Sequence, residues 1–490
     1  MKTTILNVTI GMRISVLILM SAYLFIAPEQ ISATGEVVHV VQPGDNLSTI
    51  AARYGTTVTI LTTHNQITDA NFIWVGQSIN IPGKSTNSPN EIRPASLSNT
   101  DLRKSVSDFL DKPFIQKRIG GRVYYSFTPV AEGQPRTYWF QSIRNHAHEN
   151  LASLAYASLG KCSEAQGMLR AFYYAQNSDG GFPYLVTAET GPGAITTTNI
   201  TLPVLAWEAL QIYRKCGDKT FLKDSFEAGA KNDDWWWLHS NRRDHDRCQG
   251  MFFWKNHWES VRDDAELITW TSTNGAQNQC AVDLNAYLVA NDRALYHMAI
   301  ELGDNRAEIF NTRASHLSNL MNSLMWNEED SFYYGISRRG GQVRVRDIGG
   351  LMPLYAGIPS ANQAQKLVNR HLGPNGDFHS GFGLPSLGKR ENGYGSARRW
   401  QGGMWPSLTT LVVKGLVDYN FINEAQHITR PLVKKIIDGG TQNFWEFYDS
   451  ETGAPSHAQN YIWGATVLPM AEFARIQKII QNWFLQKKQY

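Results

Sequence analysis

From about residue 102 onward the chain reads as a succession of helices, some apolar all round and some apolar on one face, and this constrains its fold more than any other feature. TLPVLAWEALQIYRKCG, 201–217, is apolar almost all round, the mark of a helix buried on every side. Leu151, Leu154, Ala155 and Leu159 mark one face of another helix, which Gly160 can end. Ser163 and Gln166 have the spacing of a capping box for the next, continued by Met168, Leu169 and Phe172. DLNAYLVANDRALYHMAIELG, 283–303, sets Leu284, Leu288, Leu295, Ala299 and Leu302 on one stripe. Further helical segments follow near 305–325, 361–372, 406–418, 422–437 and 463–480, separated by aromatic, glycine-rich loops. Wholly apolar helices belong inside and one-sided helices outside, so about a dozen of them suggest an inner ring wrapped by an outer one. Periodicity alone establishes a large all-α domain.

The start of the chain is of another kind. Lys2 and Arg13 precede the apolar run ISVLILMSAYLFIA, Ile14 to Ala27, and Pro28 and the small residues Ser32 and Ala33 follow. A run of about 14 apolar residues is short for a membrane span of roughly 20, so residues 1–33 read as an export signal, with a retained anchor as the alternative. No second span is evident. A net charge of +3 with scattered basic residues gives no argument for nucleic acid. The 15 Trp and 20 Tyr suit carbohydrate faces as well as cores.

Residues 36–83 form a separate unit. A short strand, Val37 to Val41, meets a Pro-Gly-Asp turn; Asp45 or Asn46 can cap a helix from Leu47 to Tyr54. A second helix runs from about Val58 to Asn65, and a strand from Gln77 to Ile81 closes the unit. QPGDNLSTIAARYG, then HN, then VGQSINIPG resemble the LysM module over its full length, a βααβ fold. The resemblance implies binding to N-acetylglucosamine polymers, either peptidoglycan or chitin. KSTNSPNEIRPASLSNTD, 84–101, reads as a flexible tether, and residues 102–490 as the large helical domain.

Export permits disulfides. None of Cys162, Cys216, Cys248 and Cys280 makes a CxxC pair, which argues against zinc. Cys162 and Cys216 each sit at the end of a helical segment and are expected to pair, leaving Cys248 with Cys280; four buried thiols are the alternative.

WESVRDD, 258–264, crowds three carboxylates against a tryptophan. Glycoside hydrolysis needs two carboxyl groups across the scissile bond, one to protonate the leaving oxygen and one to attack or to activate water. Trp258 would supply the apolar wall and Glu259 and Asp264 the negative field that keep an acid protonated near neutral pH. Glu259 and Asp263 are spaced to share a face of a helical turn. NFWEFYDSETG, 443–453, offers a second carboxylate, Glu446, between Trp445 and Phe447.

At these residues the sequence resembles glycoside hydrolase family 63, and more distantly the trehalases of the same clan. Seven segments correspond in order between about 120 and 475: WESVRDD (family WESGMDN), VDLNA at 282–286, LMPLYAGI at 351–358, GFGLPS at 381–386, WQGGMWP at 400–406 (WRGPIWP), FWEFYDSETG at 444–453 (EYYDPETG) and YIWGAT at 461–466 (FSWSA). The resemblance implies an (α/α)6 barrel and an inverting mechanism on α-linked sugars, with no metal or organic cofactor. It places Asp263 on the general acid, Glu446 on the general base and Glu259 on a supporting carboxylate. In that scheme the two carboxyls stand roughly 6.5–9.5 Å apart, leaving room for water.

The resemblance also places Trp139, Gln141, Trp258, Trp400, Gln401, Trp445, Tyr448 and Trp463 at the substrate. Trp400 and Trp445 are expected to stack on sugar; Trp405 fits the core as well. Asp283 starts a helix, so it is an N-cap or a sugar contact. Asp233–Trp237 is a pocket rim or a packed corner, and His146, His148 and His257 are structural. Gln141 and Gln401 replace an aspartate and an arginine of the family, and Val261–Arg262 replace a small residue and a methionine beside the acid, which implies an altered substrate. The expected protein is a secreted, wall-associated α-glycosidase; a silent carbohydrate-binding barrel is the alternative.

Overall fold

The computed structural model describes residues 30–31, most of 37–81, 99–111, 114–119, 122–127, 144–145, 151–184, 186–187, 199–262, 264–265 and 275–476. Residues 1–29 and 32–36, most of the tether, Trp139, Gln141, His146, His148 and Asp263 lie outside the described residues, and the pairing of Gln30–Ile31 with Val37–Val38 carries the first unit into the stretch read as residues 1–33. No helix among the described residues is long and apolar enough to cross a membrane.

The first unit has its own small core of Val41, Leu47, Ile50, Ala51, Leu61, Ile79 and Ile81. Strand β2 (Val37–Val40) pairs antiparallel with β3 (Ser78–Ile81), and β1 (Gln30–Ile31) adds an edge on the other side of β2. Helices α1 (Leu47–Arg53) and α2 (Val58–Asn65) connect β2 to β3. Asp45 anchors the turn. Its carboxylate meets His39 Nε2 at 2.6 Å, and His39 Nδ1 lies 3.1 Å from the Tyr54 hydroxyl, which ties the turn to both the strand and the helix end.

The second unit is a closed ring. Its helices in chain order are α3 (Asn99–Leu110), α4 (Ser153–Ser158), α5 (Cys162–Ala175), α6 (Leu205–Cys216), α7 (Lys219–Asp234), the single turn α8 (His257–Ser260), α9 (Val282–Leu302), α10 (Ala307–Leu320), α11 (Met352–Ala356), α12 (Ala361–His371), α13 (Pro406–Asp418), α14 (Ile422–Gly439) and α15 (Val467–Phe473). Helices α4, α6, α9, α11, α13 and α15 each touch the next, and α15 returns to α4. Around them, α5 packs on α4 and α6, α7 on α6 and α9, α10 on α9, α14 on α13 and α15, and α3 on α14 and α15. This is the two-layered toroid that the helix pattern suggests.

Local details differ from the sequence reading. The Ser163–Gln166 box does not form: α5 starts two residues earlier than that box requires, at Cys162, with Lys161 as an N-cap that makes no side-chain bond. The half-cystine explains this, since Cys162 is bridged to Cys216 at the end of α6. A complete capping box occurs instead at Ser360 and Gln363. Helix α9, read as one-sided, is buried nearly all round along Val282–Asp292, because Asp283, Asn285, Asn291 and Asp292 are buried too. Gly217 and Gly303 end α6 and α9 in the left-handed conformation, as glycine after a helix should.

Candidate active site

The loops that precede the inner helices gather at one end of the ring and bond to one another. Ile200, before α6, donates its N–H to Glu259 at 3.1 Å. Asp283, at the start of α9, and Asp347, before α11, both bind Arg262. The Trp400 N–H, before α13, reaches Asp264 Oδ1 at 3.3 Å. Tyr461, before α15, donates its N–H to Phe444 O at 2.9 Å. Connections before four inner helices and the first turn of α9 therefore meet at this end, three of those connections and the α9 turn on the WESVRDD segment itself.

That segment is held from two sides. Glu259 is buried, and each of its oxygens accepts from Arg242 and from a backbone N–H, of Ile200 for Oε1 and of Lys255 for Oε2. Its lone pairs are committed, so its support for the site is structural. Arg262 points into the core between Asp283, 2.6 Å away, and Asp347. Burial alone would lower the Arg262 pKa; the charges of Asp283 and Asp347 outweigh it and hold the guanidinium firmly ionised. Burial pushes the Asp347 carboxyl up, against the pull of Arg262. Between these anchors Val261 adopts φ 56°, a left-handed conformation rare for a β-branched residue. Position 263 is thus bracketed by a buried arginine and by Asp264, which is tied to Trp400.

The Asp283 expectation needs correction. The N-cap of α9 is Ala281, and Asp283 lies inside the helix, accepting from Arg262 and from the Trp254 indole at 3.1 Å. It is neither a cap nor open to sugar. Asp233–Trp237 is a packed corner: Asp233, Trp235 and Trp236 are buried, and Arg313 pairs with Asp233 and Asp234.

The Glu446 side of the site is a hairpin, Trp445–Tyr448 paired with Pro455–Gln459. Met404 and Tyr448 exchange backbone hydrogen bonds at 2.8 and 3.0 Å, which docks the WQGGMWP loop onto this hairpin. Gln401 Nε2 donates to the Asp264 carbonyl at 3.1 Å. One loop, 400–404, thus joins the WESVRDD segment to the Glu446 strand. Glu446 is 5% exposed. His457 Nδ1 contacts its Oε2, and Arg399 Nη2 lies 4.0 Å from its Oε1.

The aromatic residues divide differently from expectation. Trp400 is 2% exposed and stacks flat on Trp405, ring centroids 3.8 Å apart, and Trp405 in turn stacks on Phe447. In this arrangement Trp400 is part of a buried stack, not an open platform. Tyr448 is fully buried; its hydroxyl donates to Asn443 O and accepts the Trp445 N–H at 3.1 Å, so it closes the hairpin rather than meeting sugar. Trp463 is buried, with its ring 5.2 Å from Trp405. Trp445 is half-buried, with Nε1 donating to Gln442 O at 3.1 Å. Trp258 is 41% exposed beside His257, so it stands at the rim and is not a buried wall. Sequence reasoning did not single out Arg242, Asp347, Arg399 or His457; each acts through a partner far along the chain or across a turn, and no local pattern marks it.

Residues 151–464 match the model of the mannosylglycerate hydrolase MGH1-like glycoside hydrolase domain. The chain belongs to this glycoside hydrolase family. Residues 39–82 match the LysM domain. Among curated relatives, the mannosylglycerate hydrolase of Rubrobacter radiotolerans is 26% identical over 187 residues, 38% of this chain and 41% of that protein. That of Thermus thermophilus is 26% identical over 187 residues, 38% of this chain and 43% of the relative. The alignments thus span less than half the length of these relatives. A solved glycoside hydrolase family 63 mannosylglycerate hydrolase of Thermus thermophilus, in complex with glucose, superposes with a TM-score of 0.61 at 18% identity, over 76% of this chain and all of that one. The neutral trehalase of Saccharomyces cerevisiae gives 0.57 at 16% identity, over 78% of this chain and 80% of that one. Family members of known structure are (α/α)6 barrels, and the closed helical ring here is that fold. Both disulfides form in the expected pairing, and Cys248–Cys280 brackets the WESVRDD segment.

Proposed function

We propose that the protein is an exported, wall-associated inverting α-glycosidase that hydrolyses a small α-glycoside or a terminal α-linked glucose or mannose. Asp263 protonates the departing oxygen, and Glu446 deprotonates the water that attacks the anomeric carbon from the opposite face. The LysM domain keeps the barrel near an N-acetylglucosamine-containing glycan by raising its local concentration. Neither step calls for a metal or an organic cofactor.

One observation carries the reading: the 400–404 loop bonds to Asp264 on one side and to the Glu446 strand on the other. Two acid-bearing segments far apart in sequence are thereby served by a single short connector. The silent-binder alternative drew on Gln141 and Gln401. Gln401 bonds to the Asp264 carbonyl, so this replacement has a role in holding the acid's loop.

The test compares leaving groups. Mannosylglycerate, trehalose and the α-fluorides of glucose and mannose are assayed with wild type, Asp263→Asn and Glu446→Gln. Fluoride departs with little proton assistance. Asp263→Asn should therefore lose about 10²–10⁴-fold on an O-glycoside and much less on a fluoride, whereas Glu446→Gln should lose on both. Equal losses for the two variants on both substrates would remove the assignment of roles. A wild type that binds sugars but releases none would leave the silent-binder reading standing.

A further inference from the structure

The hairpin carrying Glu446 is irregular at one point. Trp445 pairs with Gln459 and Phe447 with Ser456, so Glu446 alone is opposed by two residues, His457 and Ala458. This is a β-bulge, a device that re-aims a side chain. His457 takes φ 66° there, the left-handed region that histidine, asparagine and aspartate tolerate better than other side chains. The extra residue turns the imidazole onto the neighbouring carboxylate: Nδ1 contacts Glu446 Oε2. The side chain of His457 is 52% exposed, while that of Glu446 is 7% exposed. A half-exposed imidazole adds little to a core, and strained backbone persists where the surroundings enforce it, often at functional sites.

We propose that His457 is the positioning residue of the general base: the bulge aims its Nδ1–H at Oε2 of Glu446, which fixes the carboxylate plane and leaves Oε1, on the Arg399 side, to take the proton of the attacking water. This rests on the assignment of Glu446 as base. With Oε2 occupied, the carboxylate cannot rotate freely, and the proton transfer has one acceptor in one orientation. Imprecise aim is costly, since a displacement of about 1 Å at a reacting group can cost 10²-fold in rate. The imidazole does not touch the sugar in this scheme, so it acts on kcat more than on KM.

The substitutions separate side chain from backbone. His457→Gly keeps the positive φ without strain and removes the donor; His457→Asn tolerates the same φ and keeps an N–H near the Nδ1 position. On α-mannosyl and α-glucosyl fluoride, His457→Gly should lower kcat about 10- to 100-fold with KM nearly unchanged, and His457→Asn should restore most of the loss. A crystal structure of His457→Gly should show the Glu446 carboxylate rotated or split between orientations. Wild-type kcat in His457→Gly, or no rescue by asparagine, overturns the proposal. If wild type releases no sugar, the glycosidase reading fails, and an unmoved Glu446 in the glycine variant overturns the positioning role as well.

Discussion

Replacing Glu259 by glutamine tests how the acid's segment is held. In wild type the carboxylate lies in the interior against the Arg242 guanidinium, whose side chain is 6% exposed, and it also accepts from two backbone N–H groups. Glutamine keeps the shape and one acceptor, but it turns an NH2 toward groups that also donate and leaves the arginine uncompensated. Breaking a buried pair in this way costs about 3–5 kcal/mol. With an unfolding entropy of about 2.1 cal/mol/K per residue, a barrel of roughly 390 residues loses about 1.2 °C of Tm per kcal/mol, so the expected fall is about 4–6 °C. Differential scanning calorimetry on the full chain measures it. Adding Arg242→Met removes the stranded cation, so Arg242→Met/Glu259→Gln should melt above Glu259→Gln alone. Turnover should fall in the single variant, since the same carboxylate fixes the entry to position 263. A Glu259→Gln protein melting within about 1 °C of wild type, or a double variant melting lower still, would refute the view that this pair is a buried anchor.

Two further outcomes follow from other parts of the barrel. Burial raises the Asp292 carboxyl well above its usual value, and the adjacent Asp233 raises it further. A carboxyl that binds its proton more tightly when folded costs stability once pH exceeds its unfolded value, about 4, and the cost grows up to the folded value. Asp292→Asn should therefore melt above wild type at pH 7, with the gap closing toward pH ~4; a gap that widens on acidification would contradict the sign. Opening the Cys248–Cys280 loop, 32 residues in sequence separation, should cost about 4 kcal/mol and lower Tm by roughly 5 °C. A Cys248→Ala/Cys280→Ala protein that melts like wild type would show that the bridge constrains nothing.

The sequence carries the ring more legibly than the site. Helix α6 is apolar on all sides and lies inside, as its composition demands. Helix α9 is also inside, yet its buried Asp283, Asn285, Asn291 and Asp292 hide this, because each polar group meets a distant segment and residue type alone cannot show that. The Cys162–Cys216 bridge was legible because both cysteines lie at helix ends, and Cys248–Cys280 followed as the pair that remained. In the site, Glu446 stands out by its aromatic neighbours, but Trp400 and Tyr448 stand out for the same reason and turn out to be packed. An aromatic beside an acid does not say which face is covered; that depends here on Trp405, which lies flat against Trp400. His457 was beyond reach, since its aim comes from one surplus residue in a strand pairing and a positive φ, and neither leaves a mark in residue order.

Arg262 ties three distant points of the chain together. While Arg262 occupies the interior, losing either Asp283 or Asp347 removes one of the two charges that balance it there. An arginine at 262 therefore depends on both acids for its place in the interior.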